Sequence, residues 1–121
     1  MTKVTFLKKR GVYYGFEESG HTGYADSGDD ILCAAISAMT MLVINTAEVA
    51  YASNVDYTID DATTDVRVIC RDALPETGAD EKKQFAVAGL LYSYYLQLMD
   101  MTEEYYEYLE VSEKEETAIQ F

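Results

Sequence analysis

The chain carries one histidine, His21, and two cysteines, Cys33 and Cys70. Between His21 and Cys33 lies "TGYADSGDDIL", crowded with Gly, Asp and Ser and turning apolar just before the cysteine. Cysteine is a nucleophile only as its thiolate, so a reactive one needs help in losing its proton. Asp29 and Asp30 are residues of the type that caps a helix start, and an apolar run follows them. A helix beginning there puts Cys33 in its first turn, where the macrodipole and unbonded backbone N–H groups favour an anion. The same N–H groups can hold an oxyanion during acyl transfer. Gly20, Gly23 and Gly28 let the loop fold back so that His21 can form a thiolate–imidazolium pair with the sulfur.

The two aspartates cut both ways. A carboxylate close to the sulfur raises the thiol pKa, whereas one bonded to the imidazole holds it in a useful tautomer. Ser37 follows Cys33 by one helical turn on the same face, where it either orients the thiol or bonds a backbone carbonyl. On residue types alone the simpler reading stays ahead: Cys33 as a small hydrophobe at the edge of an apolar helix, His21 as an exposed turn residue. Cys70 falls on the apolar side of a strand and reads as core. One His and two distant Cys lack metal-ligand spacing, and "GHTGYADSG" lacks the lysine of a phosphate loop, so no cofactor is implied. Tyr92, Tyr94, Tyr95, Tyr105, Tyr106 and Tyr108 can line an aromatic-peptide pocket, with packing as the default.

The elements that must position these residues follow from periodicity. Val4 and Phe6 alternate with polar neighbours, "KKRG" supplies a turn and "VYYGFEE" a second strand, so residues 3–18 read as a hairpin. The segment from Ser19 to Asp29 reads as an irregular loop. The helix then expected from Asp29 or Asp30 to about Ala52 is apolar almost all round, which predicts deep burial. Val55, Tyr57 and Ile59, then Val66, Val68 and Cys70, form a second hairpin with one apolar face. After Pro75, a helix from about Gly78 to Met101 shows an apolar stripe of Phe85, Ala88, Leu91, Tyr92, Tyr95 and Met99. Residues 106–111 read as a short final strand in preference to a prolonged helix, and the acidic tail from Glu113 as frayed. The result is a single α+β domain over residues 1–121, an antiparallel β-sheet with two helices in the order β-β-α-β-β-α-β.

Twenty-two acidic against nine basic residues give a formal charge of −13, which excludes nucleic-acid binding through a basic face and favours a basic partner. The apolar run from Ile31 to Val43 is broken by Ser37 and Thr40 and is shorter than the roughly 20 residues needed to span a bilayer. The charged N-terminus does not read as a secretory signal. Two cysteines without such a signal predict a reduced, cytoplasmic protein with free thiols and no membrane partner.

From Gly20 to Ser37 the chain closely resembles a bacterial family, the ribosomal-processing cysteine protease Prp. The family's hallmark is a Gly-His pair, a glycine-bearing loop and an Asp-Ile-Val-Cys-Ala-Ala-Val-Ser-like run. Here stand Gly20-His21, then Gly23 and Gly28, then Asp30-Ile31-Leu32-Cys33-Ala34-Ala35-Ile36-Ser37. Leu32 and Ile36 replace valine-like residues, and Asp26 and Asp29 are additional in the loop. The resemblance implies that Cys33 is the nucleophile and His21 its general base and acid, with Asp30 and Ser37 in support. It further implies a homodimer, and a basic large-subunit ribosomal protein as substrate, made with an N-terminal extension that is removed. Two other readings keep the same residues: a non-catalytic ribosome-assembly or peptide-binding module, and a thiol redox sensor with Cys70 as the resolving cysteine.

Overall fold

The computed structural model describes residues 1–20, 27–60 and 62–117, with 27–30 described by backbone alone. The first hairpin forms as its alternation predicts. Strand β1 (Thr2–Lys9) turns through Arg10 and Gly11 into β2 (Val12–Ser19), with Gly11 supplying the left-handed φ of 77° that closes the turn. Helix α1 (Ser27–Asn45) continues as a π-helical turn over Thr46–Ala50. Strands β3 (Val55–Ile59) and β4 (Val66–Cys70) make the second hairpin. Helix α2 (Glu81–Tyr105) and strand β5 (Leu109–Glu115) complete the α+β order. Asp80 caps α2, its side chain accepting from the Lys83 N–H at 2.8 Å.

The sheet has the strand order β3-β4-β2-β1-β5 and is mixed, not purely antiparallel as expected. Strands β1–β2, β2–β4 and β3–β4 pair antiparallel, whereas β5 runs parallel to β1, Thr2 opposite Leu109. The reason lies in α2. A parallel connection needs a long crossover, usually a helix, and α2 carries the chain from β4 across the sheet to its far edge. Strand β4 is antiparallel to β2 and so parallel to β1; a strand entered through α2 therefore joins β1 in parallel.

Both helices pack on one face. Register places Val4, Phe6, Phe16, Glu18 and Val68 on that face, and Tyr94 of α2 lies against both Phe6 and Phe16. The buried stripe of α2 is Val87, Leu91, Tyr94 and Leu98, rotated from the one expected: Phe85 is 83% exposed, and Tyr92 and Met99 face outward. Tyrosine is apolar in body and polar at its tip, so the dense run of tyrosines blurred the phase of the stripe. Truncating Leu91 to Ala at this interface costs about 2–5 kcal/mol.

Helix α1 is also not buried all round. Leu32, Ile36, Val43 and Ile44 enter the core, while Ile31, Met41, Leu42 and Val49 remain exposed. The span Ile31–Ala50 is long and apolar enough by length and composition to cross a membrane, beyond the shorter run counted in the sequence, but its inner stripe is built into the core with the sheet. The acidic C-terminal segment is in register rather than frayed. Glu113 lies in β5, bonded to Lys8 and to the Tyr13 hydroxyl, and the Glu116 N–H donates to the Lys8 carbonyl.

Candidate active site

Cys33 is the seventh residue of α1, because the helix starts at Ser27 rather than at Asp29 or Asp30. Gly28 is therefore helical, and Asp29 and Asp30 occupy first-turn backbone positions, where acidic residues complement the dipole. Cys33 lies in the second turn with its amide inside the helix. The first-turn dipole and free N–H groups expected to assist it are spent one turn earlier.

What surrounds the sulfur is the open end of the β1–β2 hairpin. Cys33 is partly buried, and its Sγ is in hydrogen-bond contact with Thr2 Oγ1 at 3.7 Å. Thr2 is fully buried, and its N–H donates to the Tyr108 carbonyl at 2.7 Å. Across the hairpin, Lys3 pairs with Ser19, which brings Gly20 against the chain start. Gly20 has φ of 83°, and a Cβ there would sit 2.1 Å from the Met1 carbonyl oxygen. Only glycine fits a left-handed backbone pressed this closely on another. Met1, Thr2, Gly20, Cys33 and Tyr108 thus converge at one end of the sheet.

His21 and Gly23 lie outside the described residues, as does the side chain of Asp30. Ser37, one turn beyond Cys33, is exposed. Cys70 is fully buried, and burial, with Asp72 and then Asp56 adding, pushes its thiol up to about 12. Its partner in register is Val55, at the opposite end of β4 from Val66, which pairs with Glu18. Four residues of strand, about 13 Å at 3.3 Å each, separate Cys70 from the end of the sheet where Cys33 sits. A cleft of about 480 Å³ lined by Thr5, Glu17, Ser19, Asp60 and Arg67 opens on the face away from the helices and does not include Cys33.

Sequence reasoning missed a buried polar cluster. Glu18, 2% exposed, accepts at Oε1 from the Thr40 hydroxyl at 2.6 Å and from the Tyr94 hydroxyl at 2.8 Å. Burial pushes the Glu18 carboxyl upward, while the hydrogen bonds from Thr40 and Tyr94 pull it down. Tyr94 is raised by burial and then by the adjacent Glu18. The signal was present: Phe16 and Glu18 are two apart in a strand and so share a face. Of the tyrosines considered for a pocket, Tyr94 joins this cluster, Tyr95 stacks on Tyr13, and Tyr106 is exposed.

A family model described as cysteine protease Prp matches residues 1–110. No curated protein matches the chain by sequence. Among solved structures, SMU.848 from Streptococcus mutans is similar with 25% identity and a TM-score of 0.78, over 96% of this chain and 99% of that one. The ribosomal processing protease Prp from S. aureus, in complex with a substrate peptide, aligns with a TM-score of 0.77 and 19% identity over 94% of this chain and 100% of that one. The same protease with a covalently linked product peptide aligns with a TM-score of 0.74 and 23% identity, again over 94% and 100%.

Proposed function

The chain belongs to the cysteine protease Prp family, and on that premise we propose that it is an endopeptidase with Cys33 as nucleophile and His21 as general base and acid. Its substrate in this reading is a large-subunit ribosomal protein, from which it removes an N-terminal extension. The thiolate of Cys33 attacks the scissile carbonyl, forming a C–S bond and an oxyanion. Collapse breaks the C–N bond, and the imidazolium of His21 gives its proton to the leaving amine. His21 then takes a proton from water as that water attacks the thioester, releasing the acid product and the thiol. Asp30, three residues before Cys33, and Ser37, four after it, support the pair from the same helix.

One observation carries the reading: the sulfur of Cys33 touches Thr2, and Gly20, the residue directly before His21, is pressed on Met1. The histidine's chain neighbour and the thiol thus lie against two adjacent residues, Met1 and Thr2. The covalently linked product peptide of the S. aureus protease is consistent with nucleophilic catalysis. The charge of −13 suits a basic ribosomal substrate. The exposed apolar stripe of α1 (Ile31, Met41, Leu42, Val49) supports a homodimer.

The test is a synthetic peptide spanning the extension junction, incubated with the wild-type chain, Cys33→Ala and His21→Ala. Cleavage by the wild type alone is expected. Cleavage by either variant would remove the dyad, and binding without cleavage by the wild type would favour a peptide-binding module.

A further inference from the structure

Among the described residues, Glu18 is a buried carboxylate that the proposed chemistry leaves unused. Glu18 faces Val4 on one side and Val66 on the other, on the helix-covered side of the sheet. There it takes hydrogen bonds from Thr40 of α1 and Tyr94 of α2, whose hydroxyl oxygens lie 3.0 Å apart. Three elements therefore meet at one polar node inside an apolar core. Stability alone does not call for such a node, since apolar groups of the same shape in place of buried charged or hydrogen-bonded ones are often neutral or stabilising.

The node's place in the chain is informative. Glu18 precedes His21 by three residues, and Thr40 follows Cys33 by seven, two helical turns along the same face of α1. The helix is thus fixed to the β1–β2 hairpin by two polar contacts, Cys33 with Thr2 and Thr40 with Glu18. The first holds the thiol; the second sets how the rest of the helix lies on the strand that leads to His21. Tyr94 ties α2 to the same carboxyl oxygen, so the helix cannot roll without breaking bonds to both neighbours.

We infer that Glu18, with Thr40 and Tyr94, is a positioning device that locks α1 on β2 and so fixes where Cys33 lies relative to the strand that leads to His21. This rests on the dyad reading above, and Glu18 acts through those two residues rather than on substrate. Its importance follows from the steepness of catalysis in geometry, where a displacement of about 1 Å can lower a rate about a hundredfold.

The experiment uses the full chain with Glu18→Gln, Glu18→Leu, Thr40→Val and Tyr94→Phe. It measures thermal stability, kcat and KM on the extension peptide, and the pH profile of iodoacetamide labelling at Cys33. Glu18→Leu leaves the Thr40 and Tyr94 hydroxyls without their shared acceptor, so it is expected to stay folded with a lowered melting temperature and to lose about tenfold or more in kcat, with KM within about twofold. Its Cys33 labelling profile differs from that of the wild type, because the thiol is no longer held in the same place. Glu18→Gln, which keeps an acceptor oxygen, recovers part of the rate. Thr40→Val and Tyr94→Phe, which share one acceptor, combine less than additively. Folded Glu18→Leu and Tyr94→Phe proteins with wild-type kcat and labelling profile would overturn the inference. Failure of the dyad reading itself shows separately, as cleavage that survives in Cys33→Ala or His21→Ala.

Discussion

At the scale of single residues, the two cysteines of this chain sit in opposite environments. Cys70 is sealed between sheet and helices with its thiol pushed up to about 12, so it is neither exposed nor ionised near neutrality. Cys33 is partly exposed at the end of the sheet beside Thr2. Iodoacetamide at neutral pH should therefore label Cys33 and spare Cys70 in the folded chain, with both labelled once denaturant is added. Peptide mapping reads the outcome, and equal labelling of the two in the folded chain would contradict it. Cys70 was legible because alternation alone assigns a strand face. The setting of Cys33 was less so: Ser27, Asp29 and Asp30 all suit a helix start, and the choice among them decides whether a thiol lies in the first turn or the second. Glu18 was legible in phase but was passed over, because a carboxylate on an inward face conflicts with its usual preference for solvent.

At the scale of elements, strands were read more faithfully than directions. Alternation located four of the strands within a residue or two, whereas β5 starts at Leu109 rather than at residue 106 and runs on to Glu115. Its parallel pairing with β1 follows from the length of the crossover α2, which no local pattern expresses. The chain leaves β2 through the bend at Gly20, where alanine would adopt a left-handed backbone costing about 1–2 kcal/mol and would press on the Met1 carbonyl. Gly20→Ala is therefore expected to lower the melting temperature and to reduce peptide cleavage more than its stability loss explains. Unchanged melting and cleavage would show that the close approach is unimportant. On the outer face of α1, Leu42 is 63% exposed within an apolar stripe. Leu42→Asp should leave the circular dichroism spectrum intact and convert a dimer to a monomer by light scattering. A dimeric Leu42→Asp, or a monomeric wild type, would place the α1 stripe outside any self-association.

At the scale of the whole molecule, charge governs acid sensitivity. Glu113 closes the sheet edge between Lys8 and the Tyr13 hydroxyl. Its carboxyl is lowered to about 2, chiefly by Lys8, with Tyr95 next. A carboxylate depressed in the folded state stabilises above its unfolded pKa, and that stability is lost as the pH falls through the folded value. Here the window runs from about 4.5 down to about 2. Glu113→Gln should therefore be less stable than the wild type at pH 7, with the two melting temperatures converging toward pH 2. A constant gap across that range would mean that Glu113 acts by packing and not by charge. The acidic balance was fully legible in composition. Its use was not, since a net charge names the sign of a partner and nothing of where it binds.

The central claim is that Cys33 carries the acyl group of a cleaved ribosomal-protein extension. Its most direct test is mass spectrometry of a rapidly quenched mixture of the extended ribosomal protein with the wild-type chain, beside the same mixture with Cys33→Ala. Two products are expected with the wild type: a ribosomal protein shortened by its extension, and an acyl adduct of matching mass on the peptide containing Cys33. Neither is expected with Cys33→Ala. A shortened ribosomal protein in the Cys33→Ala mixture would contradict the claim.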